Sequence, residues 1–190
     1  MSDAEKAADI IRRGGVAIFP TESSYGMGAR ITDEKAIAKV FGLKGRPEHK
    51  PIPVIAKDLN QMEKFAVLDE TAKRLSRKFH PGPLTLIVDA TDKVPKILSK
   101  GSIAFRITSN STAKRICELV GEPITATSAN ISGEPPIYGA EKARKQFPGI
   151  FVVDEGELPK NPPSTIFDTR TGKMVREGPI SEKEILDALD

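Results

Sequence analysis

The sequence predicts an α/β protein built on a mixed sheet, and three observations carry that prediction. Short apolar runs of strand character alternate with helical patterns from one end of the chain to the other. The last two strand-like runs read as a hairpin, which brings antiparallel pairing into an otherwise βα-type order. No repeat, low-complexity segment or long linker divides the 190 residues. One domain over 1–190, with helices flanking its sheet, is therefore expected.

Ser2 and Glu5 form a capping box that opens a helix over about 4–13, closed by Gly14-Gly15. Val16-Ala17-Ile18-Phe19 reads as a buried strand ended by Pro20. Thr32-Asp33-Glu34 caps a second helix to about Phe41, where Gly42 stops it. Pro53-Val54-Ile55-Ala56 is a strand, and Asp58 and Asp69 each N-cap a following helix. Leu84-Thr85-Leu86-Ile87-Val88 is the clearest strand, and Ile103-Ala104-Phe105-Arg106-Ile107 is another before a helix over about 111–120. A short strand over 123–126, a helix near 139–147 and a strand over 150–153 follow. The hairpin joins 164–169 to 173–176 through Thr171-Gly172, and Ser181 with Glu184 caps a last helix.

Composition narrows the class. Hydrophobic residues make up 38% and charged residues 29%, the balance of a soluble globular protein. No apolar stretch approaches the roughly 20 residues that cross a bilayer. The start, Met1-Ser2-Asp3-Ala4-Glu5, lacks the basic and apolar regions of a secretory signal, so a cytoplasmic location is expected. Cys117 is the only cysteine, which excludes an intrachain disulfide, and its apolar helical setting predicts a buried thiol. Two histidines, His49 and His80, are too few for a histidine metal centre, and no protein metal ligands are expected. The net charge of +3 points only weakly toward nucleic acid. Its local excess runs through Lys35, Lys39, Lys44, Arg46, Lys50 and Lys57.

The polar tracts suit an anionic ligand. Pro20-Thr21-Glu22-Ser23-Ser24-Tyr25-Gly26-Met27-Gly28-Ala29 follows a strand as a loop of hydroxyls and glycines, where α/β sheets place ligands. Neither G-x-x-x-x-G-K-[ST] nor G-x-G-x-x-G occurs, so phosphates would be held by side chains. Lys44 and Arg46, in the loop Lys44-Gly45-Arg46-Pro47, fit that task. Thr127-Ser128-Ala129-Asn130-Ile131-Ser132-Gly133 adds hydroxyl and amide groups after an apolar run. Arg106 lies inside a strand pattern and either faces solvent or, if buried, needs an anionic partner, a protein carboxylate or a ligand carboxylate. Arg176 poses the same question in the hairpin. Ser128 has no nucleophile-elbow context and neither histidine has an obvious orienting carboxylate, which argues against a Ser-His-Asp hydrolase, and Pro81-Gly82-Pro83 reads as a rigid turn. The loosest stretch is 155–163, a candidate mobile loop.

Five of these tracts, in this order, resemble the YrdC-like family of threonylcarbamoyl-AMP synthases. They are residues 19–29, Lys44-Gly45-Arg46-Pro47, His80-Pro81-Gly82-Pro83-Leu84-Thr85, residues 125–133, and Ser164-Thr165-Ile166-Phe167-Asp168. The resemblance implies a single YrdC-like domain with a twisted mixed sheet and a concave, positively charged cleft. It implies a nucleotidyltransferase that makes threonylcarbamoyl-AMP and pyrophosphate from L-threonine, bicarbonate or carbon dioxide, and ATP, with Mg²⁺ on the phosphates. The product would feed threonylcarbamoyl modification of adenosine 37 in tRNA through a downstream transferase machinery, and tRNA or double-stranded RNA would be a partner. By the same resemblance Lys44 and Arg46 are catalytic. Lys44, Arg46, Ser102, Ser128, Asn130, Tyr138 and Arg176 are ATP-binding, and Thr21, Arg106, Ser128 and Ser164 are threonine-binding.

Two tracts depart from the family's pattern. The family commonly has Arg-x-Pro-x-His where this chain has Arg106-Ile107-Thr108-Ser109-Asn110. Many members also have a histidine where this chain continues Lys50-Pro51-Ile52-Pro53-Val54-Ile55. Both departures bear on how strictly threonine is selected. An RNA-binding or ribosome-assembly module without turnover is the alternative reading. A hydrogenase-maturation-type domain shares the fold by resemblance, and the single cysteine argues against it.

Overall fold

A computed structural model describes residues 1–47 and 51–190. His49 and Lys50, which figure above, lie outside the described residues. The capping box of Ser2 and Glu5 opens α1 (Asp3–Arg12), and Asp33, Asp58, Asp69 and Asn110 each accept a backbone N–H at the start of a helix. These helices are α2 (Glu34–Lys44), α3 (Leu59–Met62), α4 (Glu70–Phe79) and α5 (Ser111–Val120), followed by α6 (Ala140–Gln146) and α7 (Glu182–Asp187). Ser181 and Glu184 repeat the reciprocal cap at α7.

The strands are mixed in direction, as expected, and they divide between two sheets. The smaller sheet has the order β8 (Thr127–Ser128), β2 (Tyr25–Gly28), β1 (Ala17–Pro20), β9 (Phe151–Val152). The larger has the order β11 (Lys173–Arg176), β10 (Thr165–Asp168), β5 (Leu84–Ala90), β6 (Ser102–Ile107), β3 (Val54–Ala56), β7 (Ile124–Thr125), with β4 (Ala66–Val67) on β5. β5 runs antiparallel to β6 and parallel to β10, while β3 is parallel to β6 and antiparallel to β7.

Two readings of the sequence need correction. Residues 25–28 are a strand rather than part of a loop. Tyr25, Gly26, Met27 and Gly28 are buried against β1 on one side and β8 on the other. Two glycines mask a strand whose neighbours leave no room for a side chain at positions 26 and 28. The second correction concerns α2, which runs through Gly42 to Lys44, with Gly45 taking the left-handed C-cap at φ 56°. Lys44 is therefore a helical residue, carried inward on the same face as Phe41.

The main core lies between the sheets and their helices, from Ile18, Tyr25 and Met27 to Val54, Leu86, Phe105 and Phe167. A second core packs Ala7, Ala8 and Ile11 of α1 and Ile116 and Cys117 of α5 on Ala17 and Phe19. The Cys117 thiol is wholly buried and its pKa is pushed up by that burial.

The two glycines that break the expectations give opposite predictions. A Cβ on Gly28 would lie 2.3 Å from the Thr125 carbonyl oxygen and 2.8 Å from the Phe19 ring. Gly28→Ala is expected to cost about 2–3 kcal/mol in urea unfolding. A Cβ on Gly42 would meet nothing within 4 Å in mid-helix, so Gly42→Ala is expected to gain about 0.5–1 kcal/mol.

Candidate active site

One face of the larger sheet forms the floor of a cavity of about 540 Å³. Strand alternation explains which residues reach it. Thr85 and Ile87 of β5, Ala104 and Arg106 of β6, and Ser164 and Ile166 leading into β10 line the cavity. Their neighbours Leu84, Leu86, Phe105, Thr165 and Phe167 point into the core. The smaller sheet supplies the facing wall through Thr21, Ser24, Gly26, Thr127 and Ser128, and Tyr138 and Asn161 close its sides. Among the described lining residues are three guanidinium groups, Arg46, Arg106 and Arg176, and no carboxylate.

Behind the wall sits Lys44, 1% exposed and outside the lining. Its Nζ donates to the Ser128 carbonyl at 2.5 Å, the Asn130 carbonyl at 2.7 Å and Asn130 Oδ1 at 3.3 Å. An ammonium has three hydrogens, and here three acceptors face it. Ser128 Oγ in turn donates to Asn130 Oδ1, and Asn130 Nδ2 donates to the Glu134 and Ile131 carbonyls. Lys44 thus fixes the backbone that presents Ser128. Burial, reinforced by the charge of Arg46, brings its pKa down to about 8.

The arginines are strained in the same sense. Burial lowers Arg46, whose Nη2 donates to the Pro51 carbonyl at 2.9 Å. Burial and then repulsion from Arg106 lower Arg176, which forks onto the Ser164 carbonyl at 2.9 and 2.7 Å. Arg176 would gain from an anion in the cavity. Arg106 already has a carboxylate partner, with Glu22 Oε2 3.0 Å from its Nη2. The protein-carboxylate alternative for Arg106 is the one realised. Burial alone would raise Glu22, but Arg106 and hydrogen bonds from Thr108 and Ser109 outweigh it and hold the carboxyl below its ordinary value. Arg106 Nε remains buried with no hydrogen-bond partner.

The family model described as Telomere recombination (Sua5/YciO/YrdC) matches residues 9–178. The chain belongs to the Sua5/YciO/YrdC family. A threonylcarbamoyl-AMP synthase of Pyrococcus abyssi is 37% identical over 167 residues, covering 85% of this chain and 49% of that protein. The enzyme of that name from Haemophilus influenzae (strain KW20 Rd) is 36% identical over 181 residues, covering 92% of this chain and 98% of that one. The chain therefore spans about half of the Pyrococcus relative and nearly all of the Haemophilus one. The crystal structure of Pyrococcus abyssi Sua5 complexed with L-threonine superposes with a TM-score of 0.92 at 34% identity, over 98% of this chain and 57% of that one.

Within this Sua5/YciO/YrdC chain, the cavity gathers Thr21, Arg46, Arg106, Ser128, Tyr138, Ser164 and Arg176 from the residues expected to bind ligands. Lys44 and Asn130 stand one layer behind Ser128. Ser102 shares the cavity face of β6 with Ala104 and Arg106 but lies at the strand's other end, outside the lining. Thr85, Glu22 and Asn161 are the additions. Thr85 Oγ1 pairs with Ser164 Oγ at 2.8 Å across the parallel β5–β10 ladder, a partnership invisible in strands that read simply as apolar. Asn161 Nδ2 donates to the Glu22 carbonyl at 2.8 Å, and Tyr25 Oη donates to the Gly156 carbonyl at 3.0 Å. The 155–163 segment is thereby tied to the cavity wall, with nothing in its composition to announce it.

His80 supports the floor. Nε2 donates to the Leu84 carbonyl at 2.8 Å, so Nδ1 accepts from the Ser76 hydroxyl at 3.1 Å, and the ring lies 5.9 Å from that of Phe105. Burial depresses its pKa from 6.5 to about 4. The unfolded chain therefore binds this proton first. The resulting stability is complete above about pH 6.5 and is lost as pH falls toward 4. Over that window the stability of wild type is expected to fall by about 2 kcal/mol more than that of His80→Gln in urea titrations, whereas parallel curves would discount the assignment.

Proposed function

We propose that this chain, read as one domain over 1–190, is a threonylcarbamoyl-AMP synthase. The observation that carries the reading is the conjunction of one cavity with two kinds of cation. Arg176 lies where hydrogen bonds to the Ser164 carbonyl leave its charge uncompensated by the described lining, with Arg46 on the same cavity, while Arg106 is paired with a carboxylate. A polyphosphate suits the Arg176 end and a single carboxylate suits Arg106. The names of the relatives, including one matched over nearly its whole length, support the same assignment.

On this reading the threonine amine and carbon dioxide from bicarbonate join as a carbamate. A carbamate oxygen then forms a bond to the α-phosphorus of ATP, the bond to the bridging oxygen breaks, and pyrophosphate leaves. The protein's part is alignment and charge stabilisation. Arg106, with its unpartnered Nε, takes the threonine carboxylate, and Thr21, Ser164 and Ser128 supply hydroxyls around it. Arg46, Tyr138, Arg176 and Ser128 face the nucleotide, with Ser102 further along the β6 face. Lys44 and Asn130 serve by setting Ser128 and by adding charge behind the wall.

The described residues do not fit a protein-held Mg²⁺. Among the described residues no three His, Cys, Asp or Glu side chains could hold a metal, and the lining has no carboxylate. Mg²⁺ belongs to this proposal as a companion of the triphosphate, not as a ligand of the chain. The adenylate would pass to the transferase machinery that modifies adenosine 37 of tRNA, with tRNA or double-stranded RNA as a partner in the cytoplasm. No helix among the described residues is long and apolar enough to cross a membrane.

Purified protein with ATP, bicarbonate and L-threonine should release pyrophosphate in a threonine-dependent manner; release indifferent to threonine would sink the reading. Two variants should separate the ligands. Arg46→Ala is expected to raise KM for ATP, and Arg106→Gln to raise KM for threonine, each about tenfold or more with the other KM little changed.

A further inference from the structure

We propose that Glu22 is the positioning residue of the amino-acid subsite, acting on the substrate only through Arg106. The inference rests on the reading of Arg106 as the carboxylate-binding residue. Glu22 itself does not line the cavity. Its Oε1 accepts from Thr108 Oγ1 at 2.7 Å, Ser109 N at 2.5 Å, Ser109 Oγ at 3.3 Å and Asn110 N at 3.3 Å. Oε2 is left to face Arg106 Nη2 at 3.0 Å, with no aligned hydrogen bond of its own.

One carboxylate thus joins the turn that opens α5 to the end of β6. Its side chain is 16% exposed and that of Arg106 is 10% exposed, so neither charge is relaxed by water. The Glu22 carbonyl also takes Asn161 Nδ2, which brings the 155–163 segment into the same arrangement. Arg106 is held at Nη2 by Glu22 and lines the cavity. Fixing a guanidinium at one nitrogen sets the direction in which its plane meets a second carboxylate. The donors at 108–110 that secure Glu22 are those of Thr108-Ser109-Asn110, where the sequence departs from the family's Arg-x-Pro-x-His.

Glu22→Gln tests this. The crowded Oε1 position selects the amide oxygen, because all four of its neighbours donate to it and the two backbone N–H groups can only donate. The amide NH₂ then faces the guanidinium, donor against donor, and Arg106 loses its seat. The expected result is a rise in threonine KM of about tenfold or more, with ATP KM and kcat within about twofold of wild type. The melting-temperature shift produced by L-threonine alone should shrink in step. Thr108→Val, which removes the strongest side-chain donor to Glu22 but leaves the ion pair, should raise threonine KM about threefold. It decides the matter if Glu22→Gln does not fold. An unchanged or lower threonine KM in the folded variants, with an active wild type, overturns the inference alone. A wild type without threonine-dependent pyrophosphate overturns the site reading and the inference together.

Discussion

The run from Ile124 to Ser128 belongs to both sheets, and the cavity exists because of that crossing. Ile124 and Thr125 pair with Ile55 and Val54 in the larger sheet. Two residues on, Thr127 and Ser128 pair with Met27 and Gly26 in the smaller one. Ala126 makes the step between them, its N–H donating to the Pro53 carbonyl. Thr125 is bound to Ala29 twice, through its own N–H to the Ala29 carbonyl and through Oγ1 from the Ala29 N–H. Such close approach of backbones leaves no room for a side chain at Gly28. The sheets are held together there and open beyond it, and Ser128 emerges at the point where the opening begins.

Charge is managed differently on the two sides of that opening. Lys44 is held by carbonyl and amide oxygens, and Arg176 by the Ser164 carbonyl. Dipoles solvate a cation without cancelling it, so the positive potential survives for a ligand. Arg106 carries a carboxylate partner instead, and its field is largely spent locally. On the proposed reading, the same cavity would attract a highly charged group at one end and discriminate a singly charged one at the other. Electrostatic attraction suits the first task, and geometry suits the second.

Much of this was legible in the sequence. Ser2 with Glu5, Asp33, Asp58, Asp69 and Ser181 with Glu184 mark helix starts because a side-chain oxygen within three residues of a free N–H is a local event. The apolar run at 84–88 marks the central strand for an equally local reason. What escaped is non-local. Tyr25–Gly28 is a strand only because β1 and β8 enclose it. The run of α2 past Gly42 depends on burying Phe41 and Lys44, which overrides the glycine. Glu22 lies 84 positions before Arg106, and no periodicity links them. The motif order named residues of which seven line one cavity, while the division between lining residues and the layer behind them needed three dimensions.

The chemistry of the lining also limits what kind of catalyst this can be. Cys117 is buried in the second core with its thiol pushed up, and His80 is neutral with both ring nitrogens occupied by Ser76 and Leu84. Lys44 directs its ammonium at three oxygens of the chain itself. The polar side chains among the described lining residues are hydroxyl, amide and guanidinium groups, which orient and stabilise anions. The proposed reaction brings its own nucleophile. A carbamate formed on the substrate amine is such a nucleophile, already anionic and needing only to be aimed at phosphorus. On the proposed reading, the abundance of donors among the described lining residues lets placement do the work that acid–base chemistry does elsewhere.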